Sequence, residues 1–126
     1  MTRNINIDVD TLYIESESSP DDSQYVFAYT ITITNEGTEA AKLLTRHWII
    51  TDANGHVEEV RGEGVVGEQP TLEPGEAFKY TSGTPLGTPS GFMVGAYQME
   101  TVDGEPFNVD IPAFSLDSPH VTNRLH

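Results

Sequence analysis

The residues with the most chemical potential lie between Arg46 and Tyr80, in the stretch RHWIITDANGHVEEVRGEGVVGEQPTLEPGEAFKY. Here Arg61 immediately precedes Gly62-x-Gly64-x-x-Gly67. Glycines at that spacing bind a pyrophosphate when they join a strand to a helix, because the first helical amides then point at the anion. The flanking residues exclude that helix. Val65 and Val66 favour strand, and Pro70 stands three residues past Gly67. The Gly-Lys-Ser/Thr of a phosphate loop is also absent. Two readings remain. The glycines allow a bulge or a close crossing of backbones in a β protein, or exposed amides beside Arg61 form an anion-binding nest without a helix.

Other chemistry finds less support. There is no cysteine, and no serine sits in Gly-x-Ser-x-Gly. Ser82, beside Gly83, reads as a turn serine. The histidines are His47, His56, His120 and His126, and none has the spacing of a zinc site. His47 alternates with Trp48, so one of the two points away from the core. The carboxylate pairs Asp8/Asp10, Asp21/Asp22 and Glu58/Glu59 read as solvated faces, with weak oxygen-ligated Mg²⁺ or Ca²⁺ binding as the alternative. No catalytic set emerges, and no cofactor is expected.

The elements that must hold these residues are strands. Ile5, Ile7 and Val9 alternate, and Leu12 and Ile14 continue in the opposite phase. That phase change predicts a bulge near Asp10-Thr11, or a first strand that switches sheets. Ser16 to Ser23 reads as a surface loop. Tyr25, Phe27, Tyr29, Ile31 and Ile33 mark the clearest strand. Leu43 to Thr51 carries the tryptophan, and Asn54-Gly55 turns it into a polar strand near a sheet edge. Leu72-Glu73-Pro74-Gly75 is a turn, and Ala77 to Thr81 alternates again. Ser82 to Ser90 reads as a loop. Gly91 to Thr101 is apolar on both faces and therefore central. Asp103-Gly104 leads to a last strand in which Pro112 reverses the phase, which predicts an edge or a bulge. The tail from Asp117 to His126 is expected to be loosely held.

No segment shows a 3.6-residue apolar repeat. Strands at spacings of about ten residues indicate an all-β protein, an immunoglobulin-like β-sandwich of seven to eight strands. A chain of 126 residues is read as one domain, 1–126. With no apolar run of membrane length and no apolar signal core, the chain is expected to be soluble and not membrane-bound. The absence of cysteine fits the cytoplasm. Six basic and twenty acidic side chains give a net charge of −14, which repels nucleic-acid phosphates, so no nucleic-acid partner is expected.

Read together, these motifs resemble the bacterial ApaG family. The resemblance is carried by Arg46-His47-Trp48 and by Val60-Arg61-Gly62-Glu63-Gly64-Val65-Val66-Gly67-Glu68-Gln69-Pro70. Leu72-x-Pro74-Gly75, Phe78-x-Tyr80-Thr81-Ser82-Gly83, Gly91-x-Met93-x-Gly95-x-Tyr97-x-Met99, Phe107 and Ile111-Pro112-x-Phe114 extend it along nearly the whole chain. The resemblance implies a fibronectin type III-like sandwich and a small cytoplasmic bacterial protein, often a dimer. It also implies an association with cobalt resistance and magnesium efflux. The family's genes neighbour those of a diadenosine-tetraphosphate hydrolase, and its domains in F-box proteins look like interaction modules.

The expected role is therefore a non-enzymatic protein-interaction module. Its expected contact surface is Arg46, His47, Arg61, Gly62, Glu63, Gly64, Gly67 and Gln69, with the Thr84–Ser90 loop. The rival expectation is a sensor of a small phosphorylated ligand, such as diadenosine tetraphosphate or pyrophosphate, or of a divalent cation, bound through Gly62–Gly67. A homodimer through an exposed edge of the first or last strand is compatible with either.

Overall fold

The computed structural model describes residues 4–119. Its strands are β1 (Ile5–Tyr13), β2 (Tyr25–Asn35), β3 (Ala41–Asp52), β4 (Val57–Glu63), β5 (Thr71–Leu72), β6 (Ala77–Leu86), β7 (Ser90–Thr101) and β8 (Pro106–Asp117). Two antiparallel sheets face each other, ordered β1-β2-β6 and β4-β3-β7-β8, with β5 beside the start of β3. The only helical pieces described are short 3-10 turns at Glu15–Glu17 and Pro20–Asp22, inside the expected loop. Among the described residues, no helix is long and apolar enough to cross a membrane.

The alternation of β2 does what its sequence requires. Phe27, Tyr29, Ile31 and Ile33 are all buried against the facing sheet. Trp48 on β3 is 2% exposed and sits edge-on to Tyr29, Tyr97 and Phe114 at centroid distances of 5.5, 6.4 and 5.9 Å. Such side chains each stabilise the fold by ~1.5–3 kcal/mol through burial, and edge-to-face ring contacts add to that. The Tyr80 hydroxyl on β6 meets the Tyr97 hydroxyl on β7 at 2.5 Å, a buried polar link between the sheets.

Several expectations hold. β4 is an edge strand and β7 is central. The phase reversal at Pro112 is a register shift opposite Met93 and Gly95, and β8 is an edge. Others are corrected. β1 pairs with β2 in unbroken register from Ile5↔Asn35 to Tyr13↔Phe27, so it contains no bulge and stays in one sheet. Tyr13, not Leu12, keeps the inward phase and packs on Phe27 at 5.4 Å. Leu12 is simply an apolar residue left 64% exposed, which a folded surface tolerates. The expected Ser82–Ser90 loop is mostly strand. Gly83, Thr84 and Pro85 pair with Ala28, Phe27 and Val26. Pro85 is tolerated because β6 is an edge and needs no donor on its outer side. Leu72, assigned to a turn, is buried in β5 against Ala41. In the expected tail, Asp117 still belongs to β8 and Ser118 is buried; residues 120–126, with His120 and His126, lie outside the described residues, as do residues 1–3.

The tyrosine pair has a measurable consequence. Burial pushes the Tyr80 phenol up from 10.0 to about 12, and burial together with the neighbouring Tyr80 raises Tyr97 further in the same direction. The folded state therefore resists ionisation that the unfolded chain accepts. The stability this confers is complete below pH 10 and is lost as the pH climbs towards about 12. Replacing either tyrosine by phenylalanine strands the other hydroxyl and should cost ~1–3 kcal/mol in urea unfolding at pH 7. The double replacement should cost less than the sum of the singles and flatten the alkaline loss. Strict additivity would show that the hydroxyls act independently.

Candidate functional site

β3 positions almost every residue singled out by the sequence, and an irregularity decides how. Its pairing with β7 shifts between Leu43↔Met99 and Thr45↔Gln98, so Leu44 is an extra residue. Before it, Ala41 and Leu43 face the core. After it, Arg46, Trp48 and Ile50 do, because each lies opposite an inward position of β7 or β4. Thr45, His47 and Ile49 face outward. The candidate residues on β3 and β4 are thus divided between two faces of one sheet, and Gly64, Gly67 and Gln69 lie beyond it, between β4 and β5.

On the inner face, Arg46 lies opposite Gly62 of β4. A methyl group on Gly62 would stand 2.8 Å from Cζ, Nη1 and Nη2 of Arg46 alike. Equal distances mean that the guanidinium lies flat over this α-carbon, which only glycine permits. Arg46 Nη1 donates to the carbonyls of Glu63 and Gly64 at 3.1 and 2.9 Å. Its charge also favours ionisation of Tyr80 and Tyr97, although burial outweighs it.

The glycine-rich segment then closes as a tight hairpin. Val65 and Glu68 exchange backbone hydrogen bonds at 2.8 and 2.9 Å, with Val66 and Gly67 at the tip at φ 43° and 83°. No helix follows, in agreement with the flanking Val and Pro residues. The carbonyl of Leu44, at the bulge, accepts from Gly64 N–H at 2.8 Å and from Gln69 Nε2 at 2.9 Å. The amides of Gly64, Val65 and Glu68 are therefore committed within the chain. That leaves few of this segment's donors for an anion nest.

The outer face carries the other set. His47 Nε2 lies 2.8 Å from Glu59 Oε2, and Arg61 Nη2 lies 3.1 Å from the same oxygen. The hydrogen bond to His47, then the charge of Arg61, holds the Glu59 carboxyl below its ordinary value. Beside them is a groove of about 470 Å³ lined by Thr45, Arg46, His47, Arg61, Gly62, Glu63, Gln98 and Asn108, so Arg46 and Gly62 border it as well as the inner face. Next to the groove, Thr51 lies between Phe92 and Val57, which are 46% and 63% exposed. Among the described residues, no three of His, Asp and Glu converge as a metal-ligand set. Sequence reading missed Gln98, Asn108 and Phe92, because only the pairing of distant strands brings them to His47 and Arg61.

Val66 is a β-branched residue in the left-handed region, where non-glycine residues are disfavoured by ~1–2 kcal/mol. It is 56% exposed, so its packing contribution is small. Val66→Asn should raise the urea midpoint, by ~1 kcal/mol of stability. Gly64→Ala should do the opposite, by ~2 kcal/mol or more, since Gly64 has φ 66° and its new methyl would strike the Glu68 carbonyl. The same sign for both would contradict this account of the hairpin.

A family profile described as ApaG domain matches residues 15–101. Protein ApaG of Parvibaculum lavamentivorans is 64% identical over 126 residues, covering 100% of this chain and 97% of that one. Protein ApaG of Rhodospirillum centenum is 60% identical over 124 residues, covering 98% and 95%. A crystal structure of an ApaA protein from Bordetella pertussis superposes with a TM-score of 0.90 at 51% identity, covering 92% of this chain and 94% of that one. Relatives this similar over their whole length share one fold and one set of motifs, and the chain belongs to the ApaG domain family.

Proposed function

We propose that the chain is a non-enzymatic protein-interaction module whose contact surface is the outer face of the β4-β3-β7-β8 sheet. The observation that supports this reading is the pairing of the polar groove with the exposed Phe92–Val57 row on one continuous face. Interface centres combine an aromatic or aliphatic anchor with few unpaired charges, and Arg is favoured among the charged types. This face has both features. Phe92 is the anchor, with Ile49 and Val94 half-buried beside it. Arg46 and Arg61, two of the six basic side chains of a chain whose net charge is −14, line the groove with Glu63. An acidic surface repels other acidic proteins, and arginines in the groove offset that repulsion locally.

The partner that fits is a cytoplasmic protein presenting an apolar side chain to Phe92 and a carboxylate or carbonyl to Arg61. The association with cobalt resistance and magnesium efflux that the family resemblance implies would run through this partner. Arg46 also borders the groove, but its Nη1 is taken up by the Glu63 and Gly64 carbonyls, so Arg61 is the cation offered to the partner.

Affinity capture from the protein's own cytoplasm, with quantitative mass spectrometry, tests the reading. Arg61→Glu with Phe92→Asp should reduce recovery of the specific partner at least ~10-fold while leaving the circular dichroism spectrum unchanged. A partner retained at full yield by this double variant would dismiss the surface.

A further inference from the structure

We propose that the opening between the two sheets is a binding site for a monocarboxylate with a short apolar or aromatic body, held by Arg46. β1 and β8 pack together along one side of the sandwich. On the opposite side, β4 and β6 leave a cleft of two joined compartments, about 170 and 240 Å³, which share Tyr29, Arg46, Trp48 and Ser82.

The state of Arg46 is the main argument. The ion pairs of the described residues join His47 and Arg61 to Glu59 and His56 to Asp52; none involves Arg46. Arg46 is half-buried, and its guanidinium occupies the space that the missing side chain of Gly62 leaves. Nη1 spends its hydrogens on the Glu63 and Gly64 carbonyls. The other edge, Nε with Nη2, has no hydrogen-bond partner among the described residues. That edge is one of the two forks with which arginine grips a carboxylate through parallel hydrogen bonds. A cation fixed in position, with its second fork uncommitted and a cleft before it, is preorganised for such an anion.

The walls narrow the class. Val60 and Pro85 offer accessible apolar surface to a ligand's body, above the nearly buried edges of Trp48, Tyr29 and Ile50. Glu58 lines the same cleft and opposes a second negative charge, which disfavours phosphate esters and pyrophosphate. The carboxylate could belong to a free carboxylic acid or to the C-terminus of a peptide. Arg46 borders both the cleft and the outer groove, but Phe92 of the proposed contact surface and Ser82 of the cleft each belong to one of them, so variants at those two positions let either proposal fail without the other.

Trp48 is the only tryptophan and lines both compartments, so its fluorescence reports occupancy directly. The full chain would be titrated with sodium propionate, sodium phenylacetate, a short peptide with a free C-terminus, the same peptide amidated, and inorganic phosphate. The expected result is a saturable Trp48 response to carboxylates with Kd in the range ~0.1–10 mM, and none to phosphate. Arg46→Lys keeps the charge but loses the fork, and should weaken binding at least ~10-fold. Gly62→Ala displaces the guanidinium and should act likewise. Ser82→Phe fills the cleft from the facing sheet and leaves Arg46 in the sequence, so it tests the site even if the Arg46 variant fails to fold. Lys79→Gln removes one charge elsewhere and should leave the Kd unchanged. Tight binding of free acids identifies a small metabolite site, whereas preference for the free over the amidated peptide identifies a peptide terminus. No saturable response to any carboxylate, an equal response to phosphate, or full binding by Arg46→Lys would each overturn the proposal.

Discussion

The extra residue at Leu44 is the constraint on which the rest of the structure depends. A strand has a period of two, so a single inserted residue exchanges its faces from that point on. Without it, the phase that buries Ala41 and Leu43 would turn Trp48 and Ile50 to solvent. With it, β3 buries Leu43 at one end and Trp48 at the other, and both contribute to one core. The bulge also leaves the Leu44 carbonyl directed at the glycine-rich hairpin, where Gly64 and Gln69 bind it. One irregularity thus aligns the core and anchors the most unusual loop.

Two glycines make room for what the bulge turns inward. Trp48 lies opposite Gly95 of β7, and a methyl group there would meet the indole at 2.8 Å. Arg46 lies opposite Gly62 of β4 in the same manner. In both cases a large flat side chain of β3 covers a bare α-carbon on the neighbouring strand. The sheets then approach closely enough for Tyr80 and Tyr97 to meet, and that buried hydroxyl pair joins the sheets beside Arg46. The glycines of this region therefore serve packing before they serve any ligand.

Much of this was legible locally. The alternation of β2, the Asn54-Gly55 turn and the Pro112 reversal each follow from short-range rules, and each is found in place. The first strand was misread because Leu12 and Ile14 suggested a new phase. Tyr13, with the larger apolar ring, held the original one against Phe27. The run from Ser82 to Leu86 was misread because Gly, Thr and Pro favour loops. An edge strand relaxes those preferences, since one side of its backbone needs no partner. The candidate residues were legible as a set but not as a geometry, for the bulge that decides which of Arg46 and His47 faces the core leaves no mark in Leu43-Leu44-Thr45.

The sequence by itself determined the all-β class, the polar turns, the absence of a strand-to-helix phosphate site and the family. These depend on residue type and spacing within a few positions, which is where periodicity and turn chemistry act. Tertiary structure alone decided the faces. Whether Arg46 turns to the inter-sheet cleft and His47 outside, or the reverse, depends on a register set jointly by β3, β4 and β7. Register is a property of strand pairs distant in sequence, chosen by the burial of all their side chains at once, and no single segment contains it.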